Sequence, residues 1–217
     1  MLPHDPPSLP SQDASLSLPQ PLPSRWETSG HAVSPLLIRT VRYQDLASLA
    51  EVLASSFHSQ EGTLGWLYPI LRVGIYEDLR SRLQNRTKRH ACLVAILRDS
   101  HSAALAGLSD RPIGTIEISL RRHSFNPFSD ARYPYLSNLA VLAEYRRQGV
   151  AQELLQTCER VAKDWGFHEI YLHVLENNHR ARRLYWKAGY RLRSIDTNPV
   201  GWLLGRPRQL LLRKSLL

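Results

Sequence analysis

The sequence predicts an α/β (α+β) domain, a mixed central sheet of about seven strands with flanking helices, preceded by a disordered Pro/Ser-rich tail. Three observations carry that expectation. An apolar run at 135–141, an amphipathic stretch at 150–165 and a second apolar run at 169–175 follow one another closely. Strand, helix and strand in about 40 residues make a parallel unit with a right-handed crossover. Further strand-length apolar runs lie on both sides of this unit, separated by hydrophilic segments. Composition changes sharply at Pro35. Residues 1–35 hold eight of the 14 prolines, many serines and no sustained periodicity, so a disordered tail is expected over 1–35 and a folded domain over 36–217.

Taken in order, residues 36–42 read as a first strand. Asp45 is placed to cap a helix whose apolar face holds Leu46, Leu49, Ala50, Leu53 and Phe57. After a turn at 62–65, a second helix is expected from Tyr68 to about Asn85, with Ile70, Leu71, Ile75, Leu79 and Leu83 as its apolar positions. The run 91–97 is of strand length, and 113–120 alternates with period two, so the pair reads as a hairpin with a long loop. A second loop at 121–132 leads to the strand at 135–141. In the following helix Val150, Leu154, Leu155, Cys158, Val161, Ala162 and Trp165 share one face, and Gly166 is the stop signal. After the strand 169–175, Asn178 caps a short helix with Ala181, Leu184, Tyr185 and Ala188 on one face, ended by Gly189. Strands at 190–193 and 209–214 close the domain.

The formal net charge is +9 and is concentrated after residue 35, since the first 35 residues carry three acidic side chains and one arginine. A basic globular domain suits nucleic acid, an anionic cofactor or an acidic partner. No basic stripe interleaved with aromatics is present, so nucleic acid is not the expected partner. No run approaches the roughly 20 apolar residues of a membrane span. The first residues lack a basic region followed by an apolar core, are poor in arginine and carry Asp5 and Asp13, so a cytoplasmic location is expected. Cys92 and Cys158 read as buried free thiols, and no metal is expected.

The stretch Arg146-Arg147-Gln148-Gly149-Val150-Ala151 joins the strand at 135–141 to the helix. The first N–H groups of a helix have no internal partner, and the macrodipole adds positive character there. With small residues at the start and two arginines at the edge, this is an anion site suited to a phosphate or pyrophosphate.

The motifs Leu139-Ala140-Val141, Arg146-x-x-Gly149-x-Ala151 and Asn178-x-x-Ala181-x-x-Leu184-Tyr185-x-x-x-Gly189-Tyr190 together resemble the GNAT superfamily of acetyl-CoA-dependent N-acetyltransferases. The resemblance covers roughly 36–215, with its specific motifs inside 135–190, and is similar in that region to cyanobacterial and plastid GNAT proteins. It implies the GNAT fold and acetyl-CoA as cosubstrate. It implies that the backbone of Leu139, Ala140 and Val141 pairs with the pantetheine arm. Amides of Arg146, Arg147, Gln148, Gly149, Val150, Ala151 and Gln152 would hold the pyrophosphate, and Asn178 and Ala181 would meet the cofactor. Tyr185 would sit near the thioester sulfur and protonate the leaving thiolate. His173 and Tyr135 match the histidine and tyrosine that act together through water in protein N-terminal acetyltransferases. Glu117 is a second candidate base, and Trp66 and Tyr68 fall where relatives form the acceptor groove.

The expected reaction is direct attack of a protein or peptide amine, an N-terminal α-amine or a lysine, on the thioester, with a backbone N–H near Val141 stabilising the oxyanion. The amine must be neutral. A lysine with pKa about 10.4 is about one-thousandth neutral near pH 7.4, whereas an α-amine with pKa about 7.8 is roughly a quarter neutral. Two alternatives stand beside this reading: acetylation of a small-molecule amine, and a catalytically weak acyl-CoA-binding regulatory module.

Overall fold

In the computed structural model, which describes residues 36–57, 68–84, 89–97, 111–122, 132–196 and 207–217, seven strands form one sheet in the order β1-β2-β3-β4-β5-β7-β6. The elements run β1 (Leu36–Thr40), α1 (Leu46–Phe57), α2 (Tyr68–Gln84), β2 (His90–Leu97), β3 (Arg111–Arg122), β4 (Arg132–Val141), α3 (Val150–Asp164), β5 (Glu169–Leu175), α4 (His179–Lys187), β6 (Arg191–Asp196) and β7 (Gln209–Ser215). Neighbours are antiparallel except β4 and β5, which are parallel and joined by the α3 crossover.

Helices cover both faces. Alternation along β2 sends Leu93 and Ala95 into one core, with Leu154, Leu155 and Cys158 of α3, and Val94 and Ile96 into the other. That second core is built on Leu46, Leu49 and Leu53 of α1 and Leu79 and Leu83 of α2. Among the described residues, no helix is long and apolar enough to cross a membrane.

Two local expectations are corrected. Asp45 ends a short 3-10 turn ahead of α1 and reaches backward, accepting the Arg42 N–H at 2.7 Å while Arg39 grips both carboxylate oxygens at 2.6 and 2.9 Å. The ion pair to Arg39 outcompetes a forward cap on α1. Ile70 is 64% exposed and does not join the α2 core. It is five residues before Ile75, hence about 140° around the helix from the Ile75–Leu79–Leu83 stripe. The expected turn at 62–65 lies outside the described residues.

α3 owes its place to its apolar stripe and to one glycine. A Cβ on Gly114 of β3 would lie 3.1 Å from the Ala140 carbonyl oxygen and 3.2 and 3.3 Å from Val150 and Leu154. The missing side chain lets the start of α3 settle onto β3 and β4. At the other end Gly166 adopts φ +85°, and Phe167 N–H returns to the Ala162 carbonyl to close the helix.

β4 carries the irregularity that matters for function. Thr115 pairs with Ala140 but Glu117 with Ser137, so β4 has one residue more than β3 between those points. The bulge contains Asn138, whose φ of +54° is left-handed. On its other side β4 pairs with β5 only at Tyr135–Tyr171 and Leu136–Leu172. Gly114→Val is expected to cost roughly 1–3 kcal/mol by overpacking. The check is the urea midpoint of the variant against that of the parent.

Candidate active site

Beyond Leu136 the β4–β5 ladder stops, and β4 keeps only its β3 neighbour. The Leu142 N–H donates to the Ile113 carbonyl on the β3 side. The two-residue alternation therefore turns the backbone groups of Leu139 and Val141 toward the gap between β4 and β5. Ala140 faces the other way and is buried. An extended arm entering this gap would complete the sheet as an added strand.

The turn at the mouth of the gap is shaped by two left-handed residues, Arg147 (φ +65°) and Gly149 (φ +84°). Gly149 is the N-cap of α3 and has no side chain to satisfy the helix amides. Its carbonyl accepts from Gln152 and Glu153 at 2.9 and 3.0 Å, and the Ala143 carbonyl accepts from the Arg146 N–H. Among the described residues no protein acceptor is shown for the amides from Arg147 to Ala151, which lie inside the expected span 146–152. The Arg146 side chain turns back, its Nε donating to the Val141 carbonyl at 3.0 Å, and Gln148 donates to the Glu144 carbonyl. A strand-width gap ending in unpaired helix amides fits the pantetheine arm and pyrophosphate of acetyl-CoA.

Three side chains meet the point where the strands part. Tyr135 Oη lies 2.9 Å from His173 Nδ1. Tyr135 and Tyr171 are register partners, and His173 is two residues farther along β5, so the three share one face of the sheet. Arg121 stacks its guanidinium 3.5 Å from the Tyr135 ring centroid. Burial raises the Tyr135 pKa, against the lowering pull of the Arg121 charge. Tyr133 and Tyr171 meet edge to face beside this pair, and Tyr171 donates to Glu169.

Tyr185 approaches from α4 and belongs to the core that holds α3. It is 9% exposed, and burial, with a smaller contribution from Tyr135, pushes its pKa up to about 12. The phenol therefore keeps its proton at physiological pH. Asn178 caps α4, its Oδ1 accepting from the Ala181 N–H at 3.1 Å, and Ala181 packs on the same core as Tyr185. Both position Tyr185 on its helix. Trp66 lies outside the described residues, and Tyr68 is the first residue of α2.

Residues 66–190 match the family model described as "Acetyltransferase (GNAT) family", a span that contains the gap, the turn and all three side chains. The chain belongs to the GNAT acetyltransferase family. Among its relatives in Arabidopsis thaliana, GCN5-related N-acetyltransferase 10, chloroplastic, is 28% identical over 179 residues, 78% of this chain and 67% of that protein. GCN5-related N-acetyltransferase 7, chloroplastic, is 38% identical over 82 residues, 38% of this chain and 30% of that protein. The chain thus spans one third to two thirds of the length of these relatives. The PaiA N-acetyltransferase of Thermoplasma acidophilum in complex with coenzyme A shares the GNAT fold at TM-score 0.59 and 21% identity, covering 83% of this chain and 98% of that one. The NatC complex bound to Gag peptide and CoA gives 0.58 at 18% identity, covering 84% and 99%. An aminoglycoside 6'-acetyltransferase type Ii gives 0.57 at 16%, covering 83% and 97%.

Within this GNAT domain Glu117 has an environment its sequence did not suggest. It is 1% exposed on β3, yet its pKa is lowered. Burial alone would raise it. His90 Nε2 at 2.6 Å and Arg82 Nη1 at 2.8 Å both donate to Oε1, and Asn138 Nδ2 donates to Oε2 at 2.8 Å, so the donors outweigh desolvation. A carboxylate so fully engaged is a poor proton acceptor, which sets it apart from His173. The sequence assigned no role at the site to Arg82, His90, Arg121 or Asn138. Only Asn138 leaves a local signal, since asparagine is depleted in strands and tolerates the left-handed region.

Because the folded-state pKa of Glu117 lies below its ordinary value, its stabilisation is fully present above about pH 4.3 and is lost as pH falls through the lowered value. Glu117→Gln is expected to reduce stability at pH 7 by roughly 1–2 kcal/mol. Urea titrations of parent and variant should converge in acid; a gap independent of pH contradicts the assignment.

Proposed function

We propose that this GNAT domain transfers an acetyl group from acetyl-CoA by direct attack to a protein amine, an N-terminal α-amine or a lysine. The hydrogen-bonded Tyr135–His173 pair at the parting of β4 and β5 carries the reading. Acetyl-CoA supplies the activated thioester when bound, along the gap and turn formed by Leu139, Ala140, Val141 and residues 146–152. The residues fit it because the gap presents strand backbone and its mouth presents helix amides.

The two faces of the sheet divide the proton chemistry. Tyr135 and Ser119 are partners, and Glu117, on the same face as Ser119, touches Arg82 of α2. Tyr135 and His173 thus face the α1/α2 side, while Tyr185 comes from the α3/α4 side. His173 accepts the amine proton through Tyr135 or a water, its Nδ1 lying 2.9 Å from the Tyr135 hydroxyl. Tyr185 holds the proton that the departing thiolate requires. One proton leaves the amine and one reaches the sulfur, so the two groups balance.

Support for a protein acceptor comes from the NatC structure, which contains a peptide. The aminoglycoside acetyltransferase shares the same fold, so the acceptor is decided by assay and not by likeness. The plastid relatives are named chloroplastic, and imaging of a tagged chain in its own cell decides between a plastid and the expected cytoplasmic location.

Thiol release should appear with peptides starting in Met, Ala or Ser, or with lysine peptides. Release with a polyamine alone would sink the protein reading, and binding of acetyl-CoA with no release would favour a regulatory module. Tyr185→Phe is expected to lower kcat by about a hundredfold, within the usual range for acid–base groups, with acetyl-CoA affinity near the parent's. His173→Ala should be most damaging at low pH, where few amines are already neutral, and an unchanged pH profile argues against the base role.

A further inference from the structure

We propose that Glu117 is a positioning residue for acyl transfer: by pinning Asn138 it holds the β4 bulge in the form that opens the gap between β4 and β5. The role rests on the reading of that gap as the acetyl-CoA site.

Asn138 is the critical joint. Its φ of +54° is unfavourable for a residue with a side chain, and it sits where β4 gains its extra residue and β5 leaves. Asparagine tolerates that conformation but does not enforce it. Enforcement comes from the side-chain amide, whose Nδ2 donates to Glu117 Oε2 at 2.8 Å. Glu117 is itself immobilised from two other directions, by His90 on β2 and Arg82 on α2. The Arg82 guanidinium is in turn oriented by Asp78 at 2.8 Å, one helical turn earlier. Four elements, α2, β2, β3 and the β4 bulge, therefore converge on one buried carboxylate.

The chemistry of the three contacts explains why the residue is acidic. Two donors reach Oε1 and one reaches Oε2, so the group must accept at both oxygens. A carboxylate does this without rearrangement. A glutamine retains the Oε1 contacts and can still meet Asn138 if that amide turns its oxygen inward. A leucine fills the space but leaves Arg82, His90 and Asn138 without their acceptor. Without the anchor, β4 can relax toward regular pairing and narrow the gap.

The test measures acetyl-CoA affinity by calorimetry and kcat with the best acceptor peptide, on the full chain, beside a folding control. Glu117→Leu and Asn138→Asp, which sets two carboxylates face to face, are expected to weaken acetyl-CoA binding at least tenfold and to lower kcat. Glu117→Gln should stay within threefold of the parent in both. Leu53→Ala, a buried change in α1 outside the cluster, should lower the melting temperature while leaving affinity at the parent value. Should Glu117→Leu fail to fold, Asn138→Gly decides, because glycine accepts the positive φ and removes only the amide. Parent-like affinity and kcat in Asn138→Gly or Asn138→Asp overturn the role. A parent chain that does not bind acetyl-CoA sinks the reading of the gap, and the role with it. A parent that binds while its variants match it sinks only the role.

Discussion

β4 and β5 hold each other through two residue pairs and then part, and the parting follows from one extra residue inserted into β4 against β3. A sheet interior does not tolerate such a gap for free. Backbone N–H and C=O groups that face it need partners, and burying them without partners costs free energy. The fold resolves the conflict by keeping the gap open toward the turn at 146–149, where helix amides of α3 also lack protein acceptors. Among the described residues, the path from Leu139 to Ala151 carries unpaired backbone groups at both ends, at Leu139 and at the amides from Arg147 to Ala151, while the Arg146 side chain holds the Val141 carbonyl. Its form suits an extended ligand ending in a charged phosphate group, which satisfies both halves at once.

The gap is defended from both faces. On one, Gly114 admits the first turn of α3 to within van der Waals contact of β3 and β4. On the other, the Glu117 cluster ties the bulge to α2 and β2. These supports differ in kind. The α3 support is apolar packing and is insensitive to pH, while the Glu117 support is charge-assisted and weakens in acid. Tyr185 gains its protonated state from the same apolar surroundings that seat α3, since desolvation is the larger cause of its raised pKa.

Much of the fold was legible because its signals are local. The α3 stripe, the bounds of β5 at Glu169–Leu175 and the Asn178 cap of α4 all follow from residues within one or two turns of each other. Ile70 was misplaced because apolar residues in a short window were grouped without tracking the angle between them. Asp45 was misdirected because its stronger partner, Arg39, lies six residues before it, outside the helix. The Glu117 cluster was invisible for a deeper reason. Its contacts join residues 35, 27 and 21 positions apart, on four different elements, and no periodicity encodes such a meeting. Of the candidate site, the pairing of Tyr135 with His173 followed from a resemblance, not from spacing, because 38 residues separate them.

Donor and acceptor recognition therefore rest on different kinds of information. The proposed donor side uses backbone groups, so a short motif with glycine at a left-handed position suffices to specify it. The proposed acceptor side uses side chains, and of the described ones Arg121 is the most telling. Its guanidinium 3.5 Å from the Tyr135 ring centroid places a permanent cation beside the proposed proton acceptor. A cation there repels an ammonium ion and admits the neutral amine, so the reactive fraction of each acceptor is weighted by its own pKa. At pH 7.4 that fraction is nearly three hundred times larger for an α-amine than for a lysine, given pKa values of about 7.8 and 10.4. That difference belongs to the amines themselves, and the Arg121 charge beside Tyr135 disfavours the ammonium form of either.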